Sequence, residues 1–425
     1  MLRNIKALYR LLQELKLDEY QKEHLVKQRL RVVLISAYNY VPYYKKIMDC
    51  IGYNPMIDFT GPDDLKKLPI LTKEILKKHD ISYFLKKGAR TTDLFSDSTS
   101  GSTGIPFKIY RNWDERSYQV AKWLRVFFVN GYSIRDKVLS LTSPGRLGEG
   151  KTFIQKFGIL RRLALDYLLP AEKVTDIFLD YGPEVFYGNR SHLDLVAMEL
   201  IKRKIKPKGL KLVVVGAEII HPSSQRLYKR AFGMEAIEVY GSAEMGTLAY
   251  GTQQKNGLKL CDDLTFFEFL DKDDKPVLDM KPARIIVTDL MNKTMPFIRY
   301  EQGDLAVANK ISIKAPYHER RILKIIGRDD DNLVLPDGSI RPFHDFYEIF
   351  DKYLEVKQFR IIQTEIDKIT IQISSEPIYF KKNKTLMLED LKKNFPPGIS
   401  FSFENVDYLN PDPDGKLRVL ISKLK

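Results

Sequence analysis

The sequence predicts an α/β protein: a large N-terminal body of mixed β-sheets and helices, followed by a small α+β domain. Three observations carry this. The chain has 425 residues, too many for one ordinary core, and 44% of them are hydrophobic, enough to fill more than one. Through its middle, short apolar runs of β type alternate with stretches of helical period, which indicates at least one largely parallel sheet. After IGRDDDNLVLPDGS (326–339) the character changes, and about a hundred residues follow that read as a domain of their own. The expected division sets 1–327 against 328–425.

The elements follow in order. Leu2, Ile5, Leu8, Leu12 and Leu15 recur at helical spacing, with Lys and Arg on the opposite face. Such a helix docks on the protein's own core or, given its basic face, lies on a membrane surface. Residues 22–48 continue as helix, interrupted at Pro42, which has no amide to donate. Thr72 is placed to cap a helix over KEILKKH. Helices over 114–129, 191–203 and 222–232 are interleaved with the β-type runs KVLSLTS, EVFYGN, KLVVVGAE and AIEVYGS, and FFEFLD and RIIVTDL follow. In the C-terminal part, FRIIQTEIDKITIQI (359–373) reads as two strands around a turn. LMLEDLKKNF (386–395) reads as a helix stopped by Pro396 and Pro397, and ISFSFENVDYL and KLRVLISKL as two more strands.

Lys and Arg number 69 against 55 Asp and Glu, a formal charge of +14. This favours anionic partners. No nucleic-acid-binding motif accompanies the charge, so nucleic acid is not expected among them. The two cysteines, Cys50 and Cys261, are far apart and form no CxxC, which argues against a disulfide scaffold and a Cys-rich zinc site and for a reducing compartment. The N-terminus lacks the uninterrupted apolar core of a signal peptide. The longest apolar run, LVVVGAEII at 212–220, is broken by Gly216 and Glu218 and is too short to span a bilayer. The expectation is a cytoplasmic protein, with the inner face of the membrane as a place of peripheral contact.

Five segments carry candidate chemistry. In Thr99-Ser100-Gly101-Ser102-Thr103-Gly104-Ile105-Pro106, glycines let backbone amides turn toward an anion, and short hydroxyls donate to phosphate without bulk. The same composition also suits a hairpin turn or a linker. In Tyr240-Gly241-Ser242-Ala243-Glu244, a strand ends in a tight turn, where a carboxylate can hold Mg²⁺ beside phosphate oxygens or simply face solvent. Asp304, in RYEQGD, can accept two ribose hydroxyls or end a strand as an ordinary turn. Arg328 and Asp330 lie in GRDDD, where the composition changes. Lys416 follows a Pro-Asp-Gly turn, from which a long cation can reach an external anion or be merely solvated.

In their order and spacing, TSGSTGIP, YGSAE, YEQGD, IGRDDD and the C-terminal GKLR resemble the core motifs of the adenylate-forming ligase superfamily. The closer resemblance is to its phenylacetate–CoA ligase and CapK-like branch, the latter associated with capsule biosynthesis. NYVPYYKKIM, LPILTKEIL and VVVGAEII resemble segments particular to that branch, and the likeness runs over roughly residues 30–425. It implies a large nucleotide- and acid-binding domain and a small mobile C-terminal lid. Thr99, Ser100, Gly101, Ser102, Thr103 and Gly104 would hold the β- and γ-phosphates of ATP. Tyr240 would stack on adenine, and Gly241, Ser242 and Ala243 would bind the cofactor beside it. Glu244 would bind Mg²⁺, Asp304 would hold the ribose, and Glu218 would lie near the acid or nucleotide. Arg328 would contact the nucleotide, Asp330 would be the hinge, and Lys416 would reach the α-phosphate.

The sequence departs from the family pattern in places. Ala243 stands where Thr is common, Glu301-Gln302 replaces Arg-Thr, and Phe107 follows Pro106 where many members have Lys. GTQQKNGLKL (251–260) lacks the Cys and His of the zinc site some relatives carry, so no structural zinc is expected. The resemblance implies an ATP- and Mg²⁺-dependent ligase. It would join a carboxylic or amino acid to CoA, a carrier-protein thiol or a sugar amine, in surface-polysaccharide synthesis or in aromatic-acid catabolism. A catalytically degenerate binding protein is the third reading.

Overall fold

The computed structural model describes residues 2–98, 107–144, 147, 153–253, 256–277, 280–309, 320–328, 332–342, 344–350, 352–353, 355–409 and 417–424. The chain divides into two units, residues 1–132 with 239–325, and residues 133–238 with 326–425.

The first unit opens with the helix Leu2–Glu14. Its Ala7, Leu8 and Leu11 are buried with Ala121 and Leu264, so its apolar face belongs to the protein's own core. Ile5 is 45% exposed, and the buried stripe runs through 7, 8, 11 and 14 rather than through 5 and 15. Glu14 joins it because its carboxylate accepts from Arg29 at 2.6 Å, a buried ion pair that apolar spacing does not reveal. No described helix is long and apolar enough to cross a membrane. A capping box at Asp18 and Gln21 starts the helix Glu19–Tyr40. Pro42 then begins a new helix, Pro42–Cys50. The Thr72 hydroxyl accepts from the Ile75 amide at 3.4 Å at the start of Lys73–Lys78.

The strands of this unit lie in the order Thr265–Leu270, Pro282–Asp289, Tyr300–Ala308, Arg321–Arg328, Leu258–Leu260, Gly246–Gly251, Ile237–Ser242. Helix Trp113–Val129 brings Arg125, 1% exposed, onto Asp263 at 2.5 Å. Burial works against a charge on Asp263, but the guanidinium holds its carboxyl below the usual range. Its neighbour Asp262 is 7% exposed, and its Oδ2 has no hydrogen-bond partner among the described residues. Burial first, and the Asp263 charge second, push Asp262 up to about 8. An acid raised in this way keeps its proton in the folded state while the unfolded chain has released it. Its contribution to stability therefore falls as pH rises from the ordinary carboxylate range toward that value. Asp262→Asn should leave Tm unchanged near pH ~4 and raise it by several degrees near pH ~8. Parallel Tm–pH curves for the two proteins would contradict the assignment.

In the second unit the strands Leu212–Gly216, Val185–Asn189, Val138–Thr142 and Arg162–Asp166 neighbour one another in that order, all parallel. Both faces of a parallel sheet are covered, and the run LVVVG is accordingly buried at every position. Helices Ala171–Tyr181, Arg190–Lys202 and Pro222–Phe232 contribute to the core around Phe178, Phe186, Val213 and Phe232. The C-terminal part of this unit is a four-stranded sheet in the order Ser400–Val406, Lys368–Ser374, Gln358–Glu365, Leu420–Ser422. The helix expected over 386–395 runs instead from Pro377 to Asn394. Its first turns, PIYFKKNK, are too polar to show a period, and only Met387 and Leu391 are buried. These two pack with Ile361, Ile369, Ile371 and Ile373 of the sheet.

Candidate functional site

The segment YGSAE forms a hairpin turn. Strand Ile237–Ser242 pairs antiparallel with Gly246–Gly251, Ser242 lies opposite Gly246, and the register shifts at Tyr240/Gly241. A Cβ on Gly241 would lie 2.2 Å from the Gly246 carbonyl oxygen, so only glycine fits. Gly241→Ala should cost on the order of 2 kcal/mol, read as a lower Tm. An unchanged Tm would show that the turn relaxes freely.

Two buried cations hold the turn from beneath. The Arg111 guanidinium donates to the carbonyl oxygens of Ala243 at 2.8 Å and Glu244 at 2.5 Å, and to Asp97 Oδ2 at 2.9 Å. Lys122 Nζ donates to the Met245 carbonyl at 3.2 Å and to Thr265 Oγ1 at 3.4 Å. The two side chains are 1% and 2% exposed, and burial pushes the Lys122 ammonium below its usual range. Three successive carbonyls are thus fixed, and the Ser242 hydroxyl accepts from the Met245 amide at 3.2 Å.

The side chains above the turn meet strand Tyr300–Ala308 in a reciprocal pair. Tyr240 Oη donates to Asp304 Oδ2 at 2.7 Å, and Tyr300 Oη donates to Glu244 Oε1 at 2.8 Å. Each segment carries a tyrosine four residues before a carboxylate. Glu244 is 8% exposed, and its Oε2 accepts no hydrogen bond from a described residue. Such an oxygen suits a hard cation, since Mg²⁺ is commonly held by one or two carboxylates with the rest of its shell from phosphate and water. Glu301, which stands in place of the family's Arg, turns to Arg284 at 2.9 Å.

The strands Phe95–Ser98 and Lys108–Arg111 pair antiparallel, so the glycine-rich stretch connects a hairpin. Thr99, Ser100, Gly101, Ser102, Thr103 and Gly104 themselves lie outside the described residues, as do Asp330, Lys416 and the side chain of Arg328.

In the second unit, Glu218 follows the strand end Gly216 and Ala217, whose φ is +65°. Its two oxygens accept from the Ser191 amide at 2.9 Å and the Ser191 hydroxyl at 2.8 Å. Asn189 gives helix Arg190–Lys202 no side-chain cap, and Glu218 takes that place, where a negative charge is favoured. Arg190 Nη2 stands 3.6 Å from Glu218 Oε2, and Arg190 Nη1 donates to Asp194 Oδ2 at 3.0 Å. The His192 ring packs tilted against Tyr167 with 5.2 Å between ring centres, and burial lowers its pKa. Burial also pushes Glu238 up to about 7, against the pull of a hydrogen bond from the Ile220 backbone. Burial first, and the Glu218 charge second, raise the Tyr408 hydroxyl above its usual range.

Sequence reading missed Arg111, Lys122 and Tyr300. For Tyr300 a signal was present, because Tyr-x3-acid occurs in both YGSAE and YEQGD. Among the described residues no group of three or more His, Cys, Asp or Glu side chains could hold a metal ion.

Residues 335–423 match the family model described as the CapK C-terminal domain. The chain is 25% identical over 336 residues to a phenylacetate–coenzyme A ligase of Thermus thermophilus, covering 75% of this chain and 73% of the relative. It is 22% identical over 376 residues to protein CapK of Staphylococcus aureus, covering 85% and 81%. A crystal structure of 2-hydroxyisobutyryl-CoA ligase in the postadenylation state, in complex with R3-HIB-AMP, has the same fold. The TM-score is 0.77 at 18% identity, covering 95% of this chain and 90% of that one. By sequence and fold together, the chain is similar to phenylacetate–CoA ligases and to CapK, and its residues 335–423 match the CapK C-terminal domain.

Proposed function

We propose that the protein is an ATP-dependent carboxylate ligase that makes an acyl-adenylate and passes the acyl group to an acceptor. The observation that carries this is the reciprocal Tyr240–Asp304 and Glu244–Tyr300 pair, with one oxygen of Glu244 left for a cation. Phenylacetate–CoA ligases among the relatives, and a structural neighbour bound to an acyl-AMP, support it.

In this reading a carboxylate oxygen attacks the α-phosphorus of ATP, and the bond to the bridging oxygen breaks to release pyrophosphate. The acceptor then attacks the acyl carbon and AMP leaves. Negative charge gathers on phosphate oxygens in the first step, so catalysis is largely positioning and cationic stabilisation. Bound Mg²⁺ would neutralise part of that charge. Glu244 would hold it at Oε2, while Tyr300 fixes the other oxygen and Arg111 and Lys122 fix the backbone beneath. Tyr240 would present its ring to adenine with its hydroxyl anchored on Asp304, whose carboxylate would take the ribose. Ala243 supplies no hydroxyl toward the α-phosphate, which leaves more of that work to Lys416 and the loop 99–104. Glu218 would act as a positioning residue, orienting the helix that begins at Arg190.

The assignment of residues 328–425 as a lid hinged at Asp330, carrying Lys416 and Arg328 to the nucleotide, belongs to the same proposal. Service in surface-polysaccharide synthesis follows from the resemblance to CapK, and aromatic-acid catabolism is the alternative that the phenylacetate–CoA ligase relatives support. CoA, a carrier thiol and a sugar amine are the candidate acceptors. The test is AMP release from ATP across a panel of carboxylic and amino acids, with and without CoA. Acid-dependent AMP release is expected, and its absence with every acid would favour a binding protein without catalysis.

A further inference from the structure

One cavity is lined by no residue of the candidate nucleotide site, though Tyr43, Lys46, Ile47, Leu68, Pro69 and Ile70 of its wall belong to NYVPYYKKIM and LPILTKEIL. It has a volume of about 770 Å³ and lies within the first unit, between helix Pro42–Cys50, the segment 66–70, and strand Thr265–Leu270. That size is in the range of small-molecule sites. Its inner wall is apolar, with Tyr43, Leu68 and Leu270 buried behind it and Ile51 exposed at its edge.

The charges on the wall nearly all have partners. Glu268 is neutralised by Arg299 at 3.0 Å and Asp274 by Arg284. Lys67 pairs with Asp64 at 2.6 Å, and Lys66 with Asp63 at 2.5 Å. The last pair is exposed, and such pairs hold their cation weakly. Lys46 is exposed at the rim and has no ion-pair partner among the described residues. What remains is an apolar cleft with one uncommitted ammonium at its mouth and a second that is easily released.

We propose that this cleft is a binding site for a small amphiphilic anion, a molecule with an apolar body and a single anionic end. The body would lie against Tyr43, Leu68 and Leu270, and the anion would meet Lys46, with Lys66 able to turn from Asp63. The inference is independent of the ligase reading, because no residue of the nucleotide site lines the cleft.

The molecule carries its own reporter. Cys50 lines the cleft and is exposed, whereas Cys261, the other cysteine, is buried. The experiment measures the rate at which a maleimide labels Cys50 in the full chain. Octyl phosphate, titrated below its micellar range, should slow the labelling about tenfold when present at ten times its dissociation constant. Octyl glucoside and inorganic phosphate at the same concentrations should not. Lys46→Glu, a change at an exposed position, should abolish the protection by octyl phosphate while leaving Tm unchanged. No protection by octyl phosphate, or equal protection by octyl glucoside, would overturn the proposal. So would protection by phosphatidylglycerol vesicles alone, which would make this a membrane-facing surface.

Discussion

Arg111→Met is expected to lower stability by roughly 3–5 kcal/mol and to take Mg²⁺-dependent turnover with it. The guanidinium is 1% exposed and is shared by Asp97 and two carbonyls of the turn that carries Glu244. Methionine fills much of the volume but leaves Asp97 and both carbonyls without their donor, and buried polar groups without partners are costly. Arg111→Lys separates stability from positioning. A single ammonium can still pair with Asp97 but cannot span all three acceptors. The lysine variant should therefore recover most of the lost Tm while requiring more Mg²⁺ for half-maximal turnover. Wild-type Tm and wild-type Mg²⁺ dependence in Arg111→Met would show that the turn needs no support from beneath.

Lys416→Ala is expected to reduce acid-dependent pyrophosphate exchange by roughly 10²–10³-fold, the scale on which single transition-state donors act. Tm should barely move, because a turn-tip lysine contributes within about 0.5 kcal/mol of stability. The expectation rests on the place of Lys416 in PDPDGKLR, which resembles the family's C-terminal lysine motif. Ala243 sharpens it, since in the proposed site one hydroxyl common in the ligases that the sequence resembles would be missing from the α-phosphate. Wild-type exchange by the variant would remove Lys416 from the reaction.

What was legible in the sequence differs between strands, helices and supports. The apolar runs KVLSLTS, EVFYGN and KLVVVGAE are strands of the parallel sheet, where burial on both faces leaves a nearly continuous apolar signature, and AIEVYGS is a strand as well, though mostly only partly buried. Pro42 marked an interruption, where one helix ends and another begins, and Thr72 marked a helix start, since a missing amide and a capping hydroxyl act locally. The first turns of Pro377–Asn394 escaped because they bury little.

The motif residues Tyr240, Glu244 and Asp304 could be picked out by resemblance, and the structure brings all three onto one hairpin and one strand. Their supports could not. Arg111, in FKIYR, and Lys122, in VAKWLR, look like solvated cations, and nothing local says that each is buried beneath a turn more than a hundred residues away. Glu218 is the converse case. The motif GAE suggested a place beside acid or nucleotide, and the structure commits both of its oxygens to Ser191.

The central claim is that a carboxylate is activated on ATP at a Mg²⁺ held by Glu244. Isotope exchange between pyrophosphate and ATP, measured across a panel of carboxylic and amino acids for the wild type and Glu244→Gln, tests it most directly. The account predicts exchange that depends on a particular acid and on Mg²⁺ in the wild type, and a large loss in Glu244→Gln at unchanged Tm. Exchange of equal rate and equal Mg²⁺ dependence in both proteins would contradict it, as would a wild type that exchanges with no acid at all.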